Sequence, residues 1–320
     1  MNHGADITLL IIAYNQEGFI RDSVQSALNQ NYEKLEIIIS DDLSTDRTFE
    51  IISDVVSGYK GPHQLRVYQN KKNMGVVEHI NHAVFDLIRT RKFVVQAGDD
   101  ISSKNRVKRI AKYFEENKDV YAICSNATLI DDINEEIGTY IQKDKFTIEK
   151  RDFYGIMGKG SQFFGAAAAY DITVFKYFGR LKSNARNEDQ ILPLRASLLG
   201  KIGYISDPLI RYRVHKSNLS FWIQAKDVPC GEFLDIMEKN YENQIINLHN
   251  VIGDIKKIGG EDKVELVLIK VRELMFRRYL LSNNFISRIL KVLHSKQKLS
   301  RANLVMAISP CLYRILSRGR

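Results

Sequence analysis

The first half of the chain alternates between short, unbroken apolar runs and longer stretches in which apolar residues recur every three or four positions. Residues 7–13, 35–40, 65–68, 93–96 and 121–125 are the runs, and they predict strands covered on both faces. Between them lie helical stripes: Ile20, Val24, Ala27 and Leu28; Phe49, Ile51, Ile52 and Val55; Val76, Ile80, Ala83, Val84 and Leu87; and Val107, Ile110, Ala111 and Phe114. Such alternation with short loops implies right-handed crossovers and an α/β fold, a mostly parallel Rossmann-like sheet with helices on both faces. Ligands of these sheets bind outside the C-terminal ends of the strands.

Polar residues at those ends carry the candidate chemistry. Glu17 follows the first strand, Asp41 and Asp42 the second, and Asp99 and Asp100 the fourth. Paired carboxylates there are hard oxygen ligands suited to Mg²⁺ or Mn²⁺, and such a cation suits a diphosphate. The same acids also fit a plain capping role, because a helix follows each pair. No Gly-x-Gly-x-x-Gly follows the first strand and no P-loop motif is present, which argues against the usual dinucleotide and NTPase folds.

The second half is read from three segments. The small residues of 165–170 allow either a close approach of backbone or substrate, or a tightly packed strand. Asn187-Glu188-Asp189-Gln190 precedes a stripe of Ile191, Leu194 and Leu198, where acids also suit a helix start. After a strand near 202–205, alternation puts Arg211, Arg213 and His215 on one face, where cations can hold a diphosphate. His215 is either structural or a metal ligand through neutral imidazole, and Trp222 either stacks on a sugar or joins the core.

Composition bounds these readings. With 320 residues, 44% hydrophobic and 27% charged, the chain has room for one large α/β domain and an appendage. Cys124, Cys230 and Cys311 lack metal-ligand spacing and read as reduced thiols. The polar start and the brevity of 7–13 do not fit a signal peptide, and no run is long enough to span a membrane, so a cytoplasmic location is expected. The net charge of +9 is uneven: residues 256–320 hold 15 Lys or Arg and 4 acids, a net of +11, against 32 and 34 in the remainder.

Stripes of Phe233, Ile236, Met237 and Tyr241 and of Val264, Leu268, Val271 and Leu274 make this C-terminal region helical. Beyond Glu273 there is no acid, and Phe285, Ile289, Leu290 and Leu293 interleave with Arg288, Lys291, Lys296 and Lys298. A basic amphipathic helix of this kind reads as an anionic membrane-surface element or as a helix packing on the main domain, and nucleic acid is not expected as a partner. Arg277, Arg278, Arg288, Lys291, Lys296, Lys298, Arg301, Arg314, Arg318 and Arg320 face no nearby acids in the sequence.

Residues 11–17 (Ile-Ile-Ala-Tyr-Asn-Gln-Glu), 26–30 (Ser-Ala-Leu-Asn-Gln) and 36–48 (Glu-Ile-Ile-Ile-Ser-Asp-Asp-Leu-Ser-Thr-Asp-Arg-Thr), ordered and correctly spaced, resemble the N-terminal signature of family 2 glycosyltransferases. The resemblance covers residues 6 to 220. It implies a GT-A fold, use of a nucleotide-diphosphate sugar and inverting transfer to a saccharide or lipid-linked hydroxyl in surface-polysaccharide assembly. Position by position, Ala13, Tyr14 and Glu17 fall where base and ribose are held. Asp42 matches the carboxylate that meets the base, and Asp99 and Asp100 match the metal motif, with Asp100 the preferred ligand. Asp189 matches the general base, with Glu188 as helper, and Arg211–His215 resembles a Tyr-Arg-x-His segment, giving Arg213 to the diphosphate and His215 to the metal. Two departures stand out: Ile12-Ala13 replaces the usual Pro before Tyr-Asn, and Ala97 replaces the first acid of Asp-x-Asp. A catalytic domain over 1–222, its donor half ending at 125, and a basic helical region over 223–320 are expected, with oligomerisation open. The rival readings are a sugar-phosphate nucleotidyltransferase, whose Gly-rich signature loop is missing near the N-terminus, and a non-catalytic sugar-nucleotide or membrane-surface binding protein.

Overall fold

The computed structural model describes residues 4–141, 150–159, 163–216, 218, 228–282, 287 and 306. The chain divides into two compact units, Met1–Val214 and His215–Arg320.

In the first unit the described strands are β1 Ile7–Ala13, β2 Leu35–Asp41, β3 Gln64–Gln69, β4 Lys92–Ala97, β5 Ile101–Ser102, β6 Val120–Ile130, β7 Glu136–Thr139, β8 Ala168–Asp171 and β9 Lys201–Arg213. They form one sheet in the order β3-β2-β1-β4-β8-β6-β9-β5, with β7 paired to β6. The stretch β3-β2-β1-β4 is parallel throughout. Every residue of β2 and all but Ile12 of β1 are buried, as strands covered on both faces require. The helices are α1 Ile20–Leu28, α2 Thr48–Ser57, α3 Gly75–His82, α4 Arg106–Glu116, α5 Phe153–Lys159, α6 Thr173–Phe178 and α7 Glu188–Leu199.

One core joins Leu9, Ile11, Ile37, Ile39 and Val94 of the strands to Ile20 and Val24 of α1, Ile52 of α2, and Val107, Ile110 and Phe114 of α4. Each such side chain contributes about 1.5–3 kcal/mol on full burial. This packing fixes where β1, β2 and β4 end, and therefore where their acidic loops meet. The small run at 165–170 splits into a turn and a tightly packed strand. Ala168 and Ala169 are fully buried in β8 between β4 and β6, while Gly165–Ala167 is a single 3₁₀ turn in front of it.

The second unit contains the helices α8 Cys230–Lys257 and α9 Glu261–Ser282, joined by a tight turn in which Gly259 adopts φ +67. Phe233, Met237, Tyr241, Val251 and Ile255 of α8 and Val267, Val271, Leu274 and Leu280 of α9 are buried. Val267 replaces the expected Val264 and Leu268, which are only half-buried. Two expectations are corrected here. Arg277 pairs with Glu273 one turn back on its own helix at 2.6 Å, and Arg278 reaches Glu238 at 3.2 Å and Glu242 at 3.8 Å on the paired helix, so both have acids close by. Cys124 is a buried free thiol, but Cys230 is disulfide-bonded. The basic residues from Arg288 onward, the apolar positions among them, Cys311 and Trp222 lie outside the described residues. Among the described residues no helix is long and apolar enough to cross a membrane.

Candidate active site

The loop after β1 is held against the loop after β2 by side-chain-to-backbone bonds. The Asn15 N–H donates to Ser44 Oγ at 2.9 Å, and Asn15 Oδ1 accepts the Thr45 N–H at 2.8 Å. The Gln16 N–H donates to Thr48 Oγ1 at 2.7 Å, the Glu17 N–H to Asp46, and Glu17 itself accepts the Arg47 N–H at 3.0 Å. Asn15 sits at φ 52, a conformation asparagine tolerates. Tyr14 stands out from this zipper, 44% exposed. Ala13 is buried, and its carbonyl accepts the Asp42 N–H at 2.8 Å. Glu17 is thus a tie between two loops, and Ala13 is part of the floor.

Asp42 is 3% exposed, and both its carboxylate oxygens accept hydrogen bonds. Oδ1 accepts from Asn70 Nδ2 at 2.8 Å and from the Met74 N–H at 3.0 Å, while Oδ2 accepts the Gly75 N–H at 2.8 Å. A carboxylate offers about four lone-pair directions, and three donors leave about one of them for a further contact. Asp42 therefore anchors the start of α3, a role that stands beside the base contact expected of it.

Asp99 and Asp100 lie immediately after β4. They do not cap a helix, because Ile101–Ser102 forms β5 and α4 begins only at Arg106 after Asn105. A Cβ on Gly98 would come within 2.3 Å of Gln16 Oε1 and 3.1 Å of Ala13 Cβ, so glycine lets this turn close onto the β1 loop. Asp100 is completely buried. Its Oδ1 accepts the Arg213 N–H at 2.9 Å, and its Oδ2 has no hydrogen-bond partner. Burial and the neighbouring Asp99 charge push this carboxyl well above the usual range. An orphaned, buried carboxylate oxygen is costly without a counter-charge and fits a hard cation.

Arg213 is corrected from its expected place on a diphosphate. It is 1% exposed, and its guanidinium is used internally: Nε donates to the Asp99 carbonyl at 3.0 Å, Nη1 to the Asp131 carbonyl at 2.8 Å and Nη2 to Asn134 Oδ1 at 2.7 Å, with Phe19 under its plane. His215 opens the second unit, where its N–H bonds the Asn218 side chain. Among the described residues no three His, Cys, Asp or Glu side chains converge as a metal cluster, so the expected Asp99, Asp100 and His215 set is not assembled.

Glu188 and Asp189 form the first turn of α7. The Gly165 N–H donates to Asp189 Oδ2 at 3.3 Å, and a Cβ on Gly165 would fall 2.6 Å from Glu188 Oε1. Burial pushes the Asp189 carboxyl up to about 6, against the Gly165 bond that lowers it. Burial, and then the Asp189 charge, push Glu188 up to about 8. Tyr140, Tyr170 and Cys124 make this an apolar, aromatic setting, with Tyr140 and Phe164 rings 4.0 Å apart.

Beneath Asp99 and Asp100 lies a buried polar network that the sequence reading missed. Gln96 Nε2 donates to Ser23 Oγ and to the Asp100 carbonyl, and Gln96 Oε1 accepts from Ser102 Oγ at 2.6 Å. Arg106 donates to Ser102 Oγ at 3.0 Å and to the carbonyls of Val95 at 2.7 Å and Ala166 at 2.8 Å. The signal was present: a glutamine inside an apolar run, and an arginine on the buried side of a helix.

The chain matches Glycosyl transferase family 2 over residues 8–176. It is 27% identical to the putative glycosyltransferase EpsE of Bacillus subtilis over 69% of this chain and 77% of that protein. An uncharacterized glycosyltransferase of Haemophilus influenzae is 30% identical over 39% of this chain, which spans only 37% of that relative's length. The fold is similar to S. aureus TarS residues 1–349 in complex with UDP-GlcNAc, with a TM-score of 0.58 at 16% identity, over 98% of this chain and 82% of that one. It is also similar to the mannosyltransferase PcManGT of Pyrobaculum calidifontis in complex with GDP-Man and Mn²⁺, with a TM-score of 0.55 at 13% identity, over 99% and 87%. These structures carry the GT-A fold, and the matched segment runs from β1 through the acidic β4 turn into α6; by that match the chain belongs to glycosyl transferase family 2.

Proposed function

We propose that the chain is an inverting, metal-dependent transferase that moves a sugar from a nucleotide-diphosphate sugar, a UDP-sugar before others, to a hydroxyl of a saccharide or lipid-linked acceptor in surface-polysaccharide assembly. The observation that carries the reading is Asp100, whose fully buried carboxylate lies in the turn after β4 with one oxygen unpartnered. Asp99 and Asp100 would hold Mg²⁺ or Mn²⁺. When bound, the ion offsets the negative charge that develops on the departing diphosphate. TarS and PcManGT, with their UDP-GlcNAc and GDP-Man, support the donor class.

The chain's own residues supply the rest. Tyr14, exposed at the end of β1, offers a ring face to the base. Asp42 and Glu17 fix the loops that frame it. Asp189 accepts the acceptor hydroxyl's proton as that oxygen bonds to the anomeric carbon and the bond to the diphosphate breaks, so configuration inverts. A base raised to about 6 is ionised at neutral pH yet close to it, the range in which proton transfer is most effective. Glu188, raised to about 8, stays protonated beside it and leaves Asp189 as the charged member.

Attachment to an anionic membrane surface belongs to the proposal and rests on the +11 charge of residues 256–320. Its test is co-sedimentation with anionic vesicles; no sedimentation at low salt removes it.

The decisive assay offers UDP-glucose, UDP-GlcNAc and GDP-mannose with Mn²⁺ and follows nucleoside diphosphate release and product anomer. One donor is expected to turn over, with inversion, and excess chelator to stop it. Equal turnover in chelator, or none with any donor, sinks the reading.

A further inference from the structure

Arg106 is a fully buried arginine with no hydrogen bond to either proposed reacting carboxylate, although its charge acts on Asp100, and it sits between the segments that carry them. Burying a guanidinium costs several kcal/mol unless its donors are matched. Here Nη1 and Nη2 are matched by three bonds to other segments, while Nε has no partner. Nη2 binds the Val95 carbonyl in β4 and the Ala166 carbonyl in the 3₁₀ turn, and Nη1 binds Ser102. Ser102 leads through Gln96 to the Asp100 carbonyl. On the other side Ala166 follows Gly165, whose N–H holds Asp189 and whose missing Cβ admits Glu188. A continuous run of hydrogen bonds thus joins the backbone of the donor carboxylate to the backbone that orients the base.

We propose that Arg106 is a positioning residue for transfer, setting the 165–167 turn, and through it Asp189, against the Asp99-Asp100 turn. The proposal rests on the transferase reading for its chemistry and on geometry for the link. Three carbonyl- or hydroxyl-directed bonds from one rigid fork fix the distance between β4 and the turn, which a lysine at this position cannot do with a single ammonium. The ends of the link are rigid strand and helix termini, so movement of the 165–167 turn is felt directly at Asp189. Misplacing a catalytic group by about 1 Å lowers turnover by about 10²-fold.

The test uses the full chain labelled with ¹³Cγ-aspartate, with the Asp189 signal assigned by Asp189→Asn. The ionisable groups around Asp189 are Glu188 on its own helix, Cys124 of β6, Tyr140, Tyr170 of β8, and Arg106 of α4 acting on Cys124. In Arg106→Lys the carboxyl carbon of Asp189 is expected to titrate at higher pH than in the wild type, because the Gly165 bond loosens while the cation remains. Ser102→Ala, which cuts the same network more gently, should move it in the same direction by less. On the donor that the wild type uses, Arg106→Lys should lower kcat by about 10²-fold while the donor KM stays within about 3-fold. Loss of folded protein would also lower the apparent kcat at constant KM, so the rate is taken per folded enzyme, as measured by circular dichroism, and the Asp189 titration makes the distinction. An Asp189 titration unmoved in both variants, with wild-type circular dichroism, overturns the proposal. If Arg106→Lys does not fold, Ser102→Ala alone decides it. A wild type that turns over no sugar nucleotide overturns the transferase reading, whereas the titration still judges the link.

Discussion

Two groups of carboxylates share the same edge of this sheet and differ in what surrounds them. Asp41 and Asp46 accept hydrogen bonds from their own loop, and Asp42 and Glu17 from main-chain N–H groups of neighbouring loops. Burial works to raise the Asp46 carboxyl, but bonds from Thr48 and the Glu17 N–H outweigh it and hold it below its ordinary value. Asp100, Glu188 and Asp189 have few donors, and burial raises all three. The first group ties the loops together; the second is short of hydrogen-bond donors, which is where the proposed cation and acceptor proton would enter. A carboxylate's unfilled acceptor capacity, more than its position at the edge, separates scaffold from chemistry.

The largest effect that sharpens this contrast is at the base. Asp189→Asn should lower turnover by about 10²–10⁴-fold while donor binding, measured by calorimetry, stays close to wild type. Normal turnover in this variant would move the base elsewhere, to Glu188 first. The scaffold group should answer in stability instead. Asp42→Ala leaves Asn70 Nδ2 and the Met74 N–H without this acceptor and the Gly75 N–H with Asn73 Oδ1 alone, and should cost about 2–4 kcal/mol in urea unfolding. A loss within about 0.5 kcal/mol, the range of an ordinary surface substitution, would mean that the anchor is unimportant.

A smaller effect lies in pH. Glu188 rises from an ordinary 4.5 to about 8 on folding, so the folded state binds this proton more tightly than the unfolded chain. Its contribution is therefore complete below 4.5 and lost as pH rises toward 8. Glu188→Gln removes that slope and should gain on the wild type as pH rises through the window. Parallel stability curves for the two proteins would place Glu188 in an ordinary, solvated setting.

The parallel half of the fold was legible because its strands are unbroken apolar runs, and β1 to β4 lie within a residue or two of where the runs put them. β6 and β9 extend well past residues 125 and 205, since Ser125-Asn126 and Asp207-Pro208 look like strand ends. There the ladder shifts register, a place where a proline's missing N–H is tolerated. β5 and β7 are too short to carry a period. At the site, residue types and order marked Asp99, Asp100, Glu188 and Asp189. They did not show that Asp42 and Arg213 are satisfied internally, because hydrogen-bond partners such as Asn70, Asp131 and Asn134 come from distant sequence. Arg278 was misjudged for the same reason, its acids lying on the neighbouring helix, whereas the i,i+4 pair of Arg277 with Glu273 was legible in the sequence and overlooked.

The contrast between the two groups is tested most directly by the shift in melting temperature that UDP with Mn²⁺ produces in Asp42→Asn and Asp100→Asn. A ligand that binds only the folded state raises that temperature. The account predicts that Asp42→Asn melts below the wild type yet keeps the shift, whereas Asp100→Asn melts no lower than the wild type without ligand and loses the shift. An Asp100→Asn protein that is still stabilised by Mn²⁺ and UDP as the wild type is, or a wild type that is not stabilised at all, would contradict it.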